Sequence, residues 1–276
     1  MRIERLRQIG IAHILASAWL LLVAFCALFA NWLPIHDPMQ TNVPLRLNGP
    51  SLSHWLGNDG LGRDILARLI HGARVSVVIA LSAVIIGLLI GGSLGIMAGY
   101  FRGWFERMVM AILDVVLAFP WLVLLLALVA FVGQSLFAIA AAIGLLWIPA
   151  YARVARANTL AVARQEFVLA SRAMGARSPR ILFSEILPNV VLPLIAYALV
   201  AMGLVIIVES ALAFLGLSVE APQPTWGGMI AEGRRHMSAT VHVVLAPSLA
   251  MLLTVLSLNL VGDRLRSRYD VKGSNL

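Results

Sequence analysis

The sequence predicts an all-α membrane protein with six transmembrane helices. Hydrophobic residues make up 61% of its 276 residues and charged residues only 12%, which excludes an ordinary soluble domain. Six apolar runs approach or exceed the roughly 20 residues that a helix needs to cross a bilayer. They span residues 9–33, 75–99, 108–132, 135–152, 186–208 and 238–262. The runs are rich in Leu, Ile, Val and Ala and lack the alternating pattern of outer-membrane strands, so helices are favoured.

The basic residues indicate how a transmembrane domain of residues 9–262 is oriented. Because six spans place both ends of the chain on one side, 15 basic residues fall on that side and six on the other. Basic residues accumulate on the cytoplasmic face. We therefore predict that the N-terminus 1–8, the loop 153–185 and the tail 263–276 are cytoplasmic, and that the loops 34–74 and 210–237 are external. The net charge of +8 follows from this topology, and its spread over several loops argues against nucleic-acid binding.

The first external loop ends in a short amphipathic pattern. Asp64 can cap a helix after a turn-rich stretch of glycines, and the apolar residues between positions 65 and 73 share one face. Arginines lie at the start, middle and end of this stretch. The pattern predicts an amphipathic helix on the membrane surface before the second transmembrane helix. A plain helix on the soluble side is the alternative.

Small and acidic residues inside the apolar runs indicate packing and polar contacts. A glycine recurs every fourth residue in the second run, at Gly87, Gly91, Gly95 and Gly99, which predicts close helix packing within the chain or against a partner. Asp114 and Glu209 would each cost about 2.5–3.5 kcal/mol facing lipid, so both are expected to face protein or a water-filled path. Structural pairing, lining of a solute pathway and proton coupling all remain open for them.

The sequence contains no pattern of catalytic or metal-binding residues. A nucleotide-binding P-loop needs a lysine behind its glycines, and the single lysine is Lys272 in the tail. No two of the six histidines (His13, His36, His54, His71, His236 and His242) have the spacing of helical metal ligands, so no metal site is predicted. The single Cys26 cannot form an intrachain disulfide and is interpreted as an apolar thiol. We infer that energy for any transport comes from another chain, unless the protein works as a secondary transporter or channel; a membrane-embedded enzyme is the least favoured alternative.

The loop before the fifth run is the most informative segment. Residues 165–189, QEFVLASRAMGARSPRILFSEILPN, form a polar, arginine-bearing stretch between two membrane-length runs. Gly175, followed by Ser178 and Pro179, can end a short helix sharply. A segment that is structured in this way favours a docking element over a simple connection between two spans.

This segment resembles the cytoplasmic signature of the permeases of binding-protein-dependent ABC importers. The signature reads Glu-Ala-Ala, three residues, Gly, about a dozen residues, then Leu-Pro. Ala170 and Ser171 stand at the two Ala positions, Gly175 at the Gly, and Leu187-Pro188 at the Leu-Pro. Leu169 replaces the acid, so any contact of that carboxylate is absent or supplied by Glu166.

Three further blocks are similar to the second permease subunit of the peptide/nickel class. They are HWLGNDGLGRDILARLIHGARVSV from His54, DVVLAFPWLVLLLAL from Asp114, and ESALAFLGLSVEAPQPTWGGMIAEGR from Glu209. The matching blocks follow the order of the family over roughly residues 37–235.

The resemblance implies a type I ABC importer permease fold in a bacterial plasma membrane. It implies a coupling helix that docks on an ATPase, formed by Ala170, Ser171, Arg172, Ala173, Met174, Gly175, Ala176 and Arg177. The implied partners are a similar but distinct permease, two ATPase subunits or a fused ATPase, and an extracytoplasmic binding protein. ATP and Mg²⁺ would be bound by the partners, with no cofactor on this chain. Peptides are the first expectation for the substrate and nickel or another small solute the second.

Overall fold

The structure, a computed structural model, describes the backbone of residues 2–273 and the side chains of residues 10–267. The whole of the predicted N-terminus 1–8 and residues 268–276 of the predicted tail 263–276 therefore lie outside the described side chains. The described residues form helices without a β-strand. The helices of eight or more residues are α1 (Arg2–Phe29), α2 (Ile65–Ile86), α3 (Gly92–Phe101), α4 (Gly103–Ala118), α5 (Trp121–Val132), α6 (Leu136–Val162), α7 (Glu166–Ala173), α9 (Leu187–Phe214), α10 (Trp226–Gly233) and α11 (His242–Gly273), and the short α8 spans Ser178–Ile181.

Among the described residues, five helical segments are long and apolar enough to cross a membrane. They are Gly10–Trp32, Ile65–Phe101, Leu136–Val162, Ser178–Phe214 and His242–Ser267. Two of these join helices through a π-helical stretch, at Gly87–Gly91 between α2 and α3 and at Leu182–Ile186 between α8 and α9. Each joined segment has 37 residues, or about 55 Å of helix, against a hydrocarbon core of about 30 Å. One part of each must therefore lie outside the hydrocarbon.

The third predicted span differs from a straight helix. Residues 108–132 belong to α4 and α5, whose axes are bent by 87° at a break between them. Pro120 follows Phe119, which is extended at φ −82° and ψ 143°. A proline disfavours the helical conformation of the residue before it, which explains the break. The described residues therefore contain five spans, or six when the bent pair counts as one.

The predicted separate helix before the second span is absent from the structure. Residues 65–73 form the first turns of α2, which continues to Ile86 without a break. Asp64 does lie at the helix start, where its Oδ1 accepts from the Leu66 amide at 3.3 Å. Ile65 and Ala73, which share the predicted apolar face, are 0% and 3% exposed, so this face packs on protein.

The chain divides into two compact units. The first combines residues up to 81, 129–140 and 202–261, and the second combines 82–128, 141–201 and the residues from 262 onward. In the first unit, Ile65, Met229 and Val243 form an apolar cluster beside the loops. Trp226 is buried there, and its amide and indole N–H groups donate to Ser76 Oγ at 3.1 Å and to the Leu69 carbonyl at 3.0 Å.

In the second unit, the four-residue glycine pattern lies against α6. A Cβ on Gly87 would lie 2.8 Å from Tyr151 Cδ2, and one on Gly99 would lie 2.9 Å from the Arg156 carbonyl oxygen. A Cβ on Gly91 or Gly95 would overlap a carbonyl oxygen of α6. The glycines therefore allow backbone-to-backbone contact between the α2–α3 segment and α6 within this chain.

Candidate functional site

The segment singled out in the sequence forms a short exposed helix between α6 and α9. Helix α7 begins after Gln165, whose φ of −69° and ψ of 147° are extended, and it carries Glu166 in its first turn. A carboxylate there complements the positive end of the helix dipole. Val168 is fully buried and Ile181 in α8 is almost so. These two side chains anchor the segment, which leaves the other faces of α7 free of the core.

Gly175 ends α7 in a Schellman motif. Its φ is +81°, in the left-handed region that residues other than glycine rarely adopt. The Ala176 amide donates to the Ser171 carbonyl at 3.0 Å, and the Gly175 amide donates to the Arg172 carbonyl at 3.1 Å. These bonds are the two that define the motif. Arg177 then precedes α8, which has a proline in its first turn.

The eight residues predicted to form the coupling helix are brought together at the surface. Ser171 and Ala176 are half-buried and the other six are exposed. Met174 is the most prominent apolar side chain at 81% exposure, and Leu169 is 49% exposed. The structure therefore presents an apolar tip at the C-terminal end of α7.

Exposed arginines lie within this segment and beside it in the sequence. Arg164, Arg172, Arg177 and Arg180 are all exposed. The Arg172 guanidinium lies over the Tyr100 ring, 5.6 Å from its centroid, a distance typical of a cation–π contact. The sequence places Arg172 in the implied coupling helix, and the structure adds this contact within the chain. Leu169 places an apolar side chain where the signature has an acid, three residues after the exposed Glu166.

The two acids in the apolar runs both have polar neighbours. Asp114 Oδ1 accepts from Arg153 Nη2 at 2.6 Å, with both side chains more than half exposed. Glu209 is buried, and its Oε1 accepts from Ser218 Oγ at 2.5 Å. In the second unit, which also contains Asp114 and Arg153, Arg156 Nε donates to Glu106 Oε1 at 2.5 Å. Pairing accounts for the charges of Asp114 and Arg153 without a proton-relay role.

A buried ion cluster lies where the loop before α2 meets α10. It consists of Asp59, Arg63, Arg68 and Glu232. Asp59 Oδ2 accepts from Arg63 Nε at 2.6 Å and lies 3.4 Å from Arg68 Nε. Glu232 Oε2 accepts from Arg63 Nη2 at 2.6 Å and from Arg68 Nη2 at 3.1 Å. Two acids thus neutralise two arginines, whose side chains are only 5% and 2% exposed.

This ion cluster was not predicted from the sequence. Asp59 and Arg63 are four residues apart, which hints at pairing, but Glu232 is 169 residues from Arg63. All four residues line a cavity of about 620 Å³ whose wall also includes Arg46, Arg235 and His236. The cluster fixes the loop to α10, and the surplus of arginine in the cavity wall favours anionic groups on whatever occupies it.

The fold is similar to that of a solved importer. A chain of the MetNI methionine ABC transporter in an inward-facing conformation matches with a TM-score of 0.62 at 19% identity, over 74% of this chain and 97% of that chain. A second crystal form of the same transporter matches with a TM-score of 0.58 at 18% identity. The protein therefore has the fold of a type I ABC importer permease.

The sequence comparison identifies the family. Residues 91–272 match the family described as "Binding-protein-dependent transport system inner membrane component". The chain belongs to this family, which confirms the resemblance seen in the sequence. A glutathione transport system permease protein of Pectobacterium atrosepticum is 41% identical over 93% of this chain and 86% of its own length.

Two other relatives are named for the transport of short peptides. A di/tripeptide transport system permease protein of Pseudomonas aeruginosa is 41% identical over 93% of this chain and 87% of its own length. A dipeptide transport system permease protein of Alkalihalophilus pseudofirmus is 39% identical over 89% of this chain and 81% of its own length.

Proposed function

We propose that this permease forms half of the translocation pathway for di- and oligopeptides in an ATP-driven importer. The support is that three relatives at 39–41% identity are named for dipeptides, di/tripeptides or glutathione, itself a tripeptide. The aligned regions cover 89–93% of this chain, so they include the membrane helices and the loops. The alternative substrate is nickel or another small solute, and a growth test distinguishes it from peptides.

The proposed assembly contains a second, distinct permease, two ATPase subunits or a fused ATPase, and an extracytoplasmic binding protein. This permease is non-catalytic, and ATP and Mg²⁺ are bound by the ATPases. The proposal places α7 and both termini on the cytoplasmic face and the ion cluster on the external face. The family description, which names binding-protein-dependent transport and an inner membrane component, supports the general form of this assembly.

The exposed end of α7 carries the mechanistic proposal. Residues 170–177 dock in a groove of an ATPase, with Met174 as the apolar contact and the surrounding arginines facing acidic groups at the rim. A large exposed apolar side chain inside a charged border is typical of an interface hot spot. ATP-driven closure of the ATPases would move α7 as a rigid element, because Val168 and Ile181 anchor it to the helices.

The coupling test uses the full transporter, co-expressed with the proposed second permease, ATPase and binding protein and reconstituted in liposomes. Met174→Asp places a charge in the proposed groove and is expected to weaken ATPase binding at least about tenfold, as for a hot-spot residue. Met237→Asp is the matched control, because Met237 is also exposed but lies after α10. Gly175→Trp is expected to separate ATP hydrolysis from uptake while the helices stay folded.

Two results would contradict the proposal. Uptake by Met174→Asp and Gly175→Trp at the rate of the parent would show that this segment does not couple. Transport by the chain alone, with no ATPase bound, would instead indicate a secondary transporter.

A growth test identifies the substrate. A deletion strain should fail to grow when a required amino acid is supplied as a di- or tripeptide. Loss of nickel-dependent growth alone would show that the substrate is nickel.

A further inference from the structure

Three side chains that can bind a metal converge at the start of α2. His36 and His54 come from the loop after α1, and Asp64 immediately precedes α2. One ligand atom from each lies within 4.8 Å of the others. The His36 Nδ1 atom is 3.3 Å from Asp64 Oδ2, and the His54 Nδ1 atom is 3.7 Å from Asp64 Oδ1. All three belong to the first compact unit.

The backbone of the loop brings these residues together. Gly57 and Gly62 both have a φ of +76°, which reverses the chain twice between His54 and Asp64. Asn58 and Asp64 form an isolated antiparallel bridge across this turn. The His54 amide donates to Ser51 Oγ at 3.1 Å, which fixes the backbone at the second histidine. The site is therefore held by local structure and does not depend on the side chains alone.

One of the three candidate ligand atoms, His54 Nδ1, has no hydrogen-bond partner among the described residues. The His36 Nδ1 atom contacts Asp64 Oδ2 at 3.3 Å. The His54 Nδ1 atom is buried, and its 3.7 Å separation from Asp64 is too long for a hydrogen bond. A buried polar atom without a partner destabilises the folded protein, and a cation between the three ligands would satisfy it.

The distances fit a tetrahedral ion. Zn²⁺ binds imidazole nitrogen and carboxylate oxygen at about 2.0–2.2 Å, which puts neighbouring ligands roughly 3.3–3.6 Å apart in a tetrahedral site. The two nitrogen-to-oxygen separations, 3.3 Å to Asp64 Oδ2 and 3.7 Å to Asp64 Oδ1, lie close to that range. One ligand atom from each residue lies within 4.8 Å of the others, so a small movement of the histidine rings would bring all three to tetrahedral spacing. The His36 and His54 rings are 4.6 Å apart between centroids, and the Nδ1 atom of each lies within 3.7 Å of an Asp64 oxygen. The Asp64 side chain is 4% exposed and that of His36 is 51% exposed, which gives a shielded anion with an open access path.

We propose that His36, His54 and Asp64 bind one divalent transition-metal ion, with Zn²⁺ as the best fit, and that water completes the coordination. Imidazole with carboxylate selects such ions over Mg²⁺ and Ca²⁺, which prefer oxygen ligands alone. The bound ion ties two points of the loop to the first turn of α2. The site is independent of the proposed substrate, because it lies outside the cavity and the end of α7.

The test measures Zn²⁺ binding by the full-length chain in detergent, purified on a tag without histidine and stripped of metal. Zinc is titrated as ZnCl₂, and bound metal is counted by mass spectrometry after gel filtration. The parent is expected to bind one Zn²⁺ per chain, and Co²⁺ to give the visible absorption of a tetrahedral site. Removing an outer-shell partner already costs about 10–100-fold in affinity, so His36→Ala and His54→Ala should each cost at least about 100-fold.

His71→Ala is the matched control, because His71 lies on α2 outside the cluster. It should bind Zn²⁺ as the parent does. His36→Ala removes a half-exposed side chain and should fold normally in the absence of metal, which gel filtration with a chelator checks. Zn²⁺ should raise the unfolding temperature of the parent but not of His36→Ala. Binding only at millimolar Zn²⁺, or equal binding by the parent and both ligand variants, would overturn the inference.

Discussion

The Arg63 guanidinium donates to the Glu232 carboxylate at 2.6 Å, although 169 residues separate the two in sequence. The same guanidinium donates through Nε to Asp59 at 2.6 Å. Arg63 therefore bridges an acid of its own loop and an acid of α10. Because Arg63 and Arg68 are both buried, their charges depend on these two carboxylates.

The ion cluster should be more sensitive to loss of Asp59 than of Glu232. Asp59 is buried, and its Oδ1 also accepts from the Leu61 and Arg63 amides at 2.8 and 3.0 Å. Asp59→Asn leaves two buried arginines short of a charge and should cost about 3–5 kcal/mol in the free energy of unfolding. Glu232 is 46% exposed, so water can replace it in part and Glu232→Gln should cost about 1 kcal/mol.

Unfolding of the purified protein in detergent, followed by tryptophan fluorescence, measures this difference. Glu220→Gln is the matched control, since it removes the same charge at an exposed position. Equal stability of Asp59→Asn and Glu220→Gln would show that the ion cluster does not hold the loop.

The glycine contacts should be specific to position. Gly91→Ala and Gly95→Ala each place a methyl group onto a carbonyl oxygen of α6 and should destabilise by about 1–3 kcal/mol through overpacking. Gly92→Ala is the control, because its Cβ would lie 3.7 Å from the nearest atom, an ordinary contact. The yield of folded protein after heating detergent extracts ranks the three variants. If Gly92→Ala lowers the yield of folded protein as much as Gly91→Ala and Gly95→Ala do, the close contact with α6 is not the cause of the loss.

Uptake should survive when the two residues of the ion pair, Asp114 and Arg153, are swapped. Asp114→Arg places two cations where the structure has an ion pair at 2.6 Å, and uptake should fall. Both side chains have room, so the double variant Asp114→Arg with Arg153→Asp should restore most of it. Uptake in cells expressing each variant at matched protein level measures the recovery. No recovery would show that the carboxylate is needed at position 114 itself.

The proposed orientation is testable because Cys26 is the only cysteine. In a Cys26→Ser background, Leu52→Cys should react with a membrane-impermeant thiol reagent in spheroplasts, and Met174→Cys should react only in inverted vesicles. Leu52 and Met174 are 100% and 81% exposed, so neither is shielded by this chain. Labelling of both from one side would contradict the predicted placement of the loops.

The sequence predicted the features that depend on local chemistry. Apolar length predicted the positions of the spans, and the glycine spacing predicted a close contact, though not its partner α6. The end of α7 was predicted because Gly175 and the following proline act within a few residues. The 87° bend had a local signal too, since Pro120 interrupts the third run.

The features that the sequence did not reveal depend on distant residues. Glu232 meets Arg63 only after the loop and α10 have packed together, and no spacing rule connects them. Residues 65–73 look amphipathic alone, yet their apolar face contacts protein and α2 continues through them. His36, His54 and Asp64 likewise lack helical spacing, and the two reversals at Gly57 and Gly62 bring the last two together.

The contact between the glycines and α6 also limits where a solute can travel. Where a methyl group does not fit between two backbones, neither does a peptide side chain nor a column of water. The seam between the α2–α3 segment and α6 is therefore sealed from Gly87 to Gly99, a little over three helical turns. Any passage through this protein must follow a different face of these helices, and substitutions that alter solute selectivity should be found on those faces.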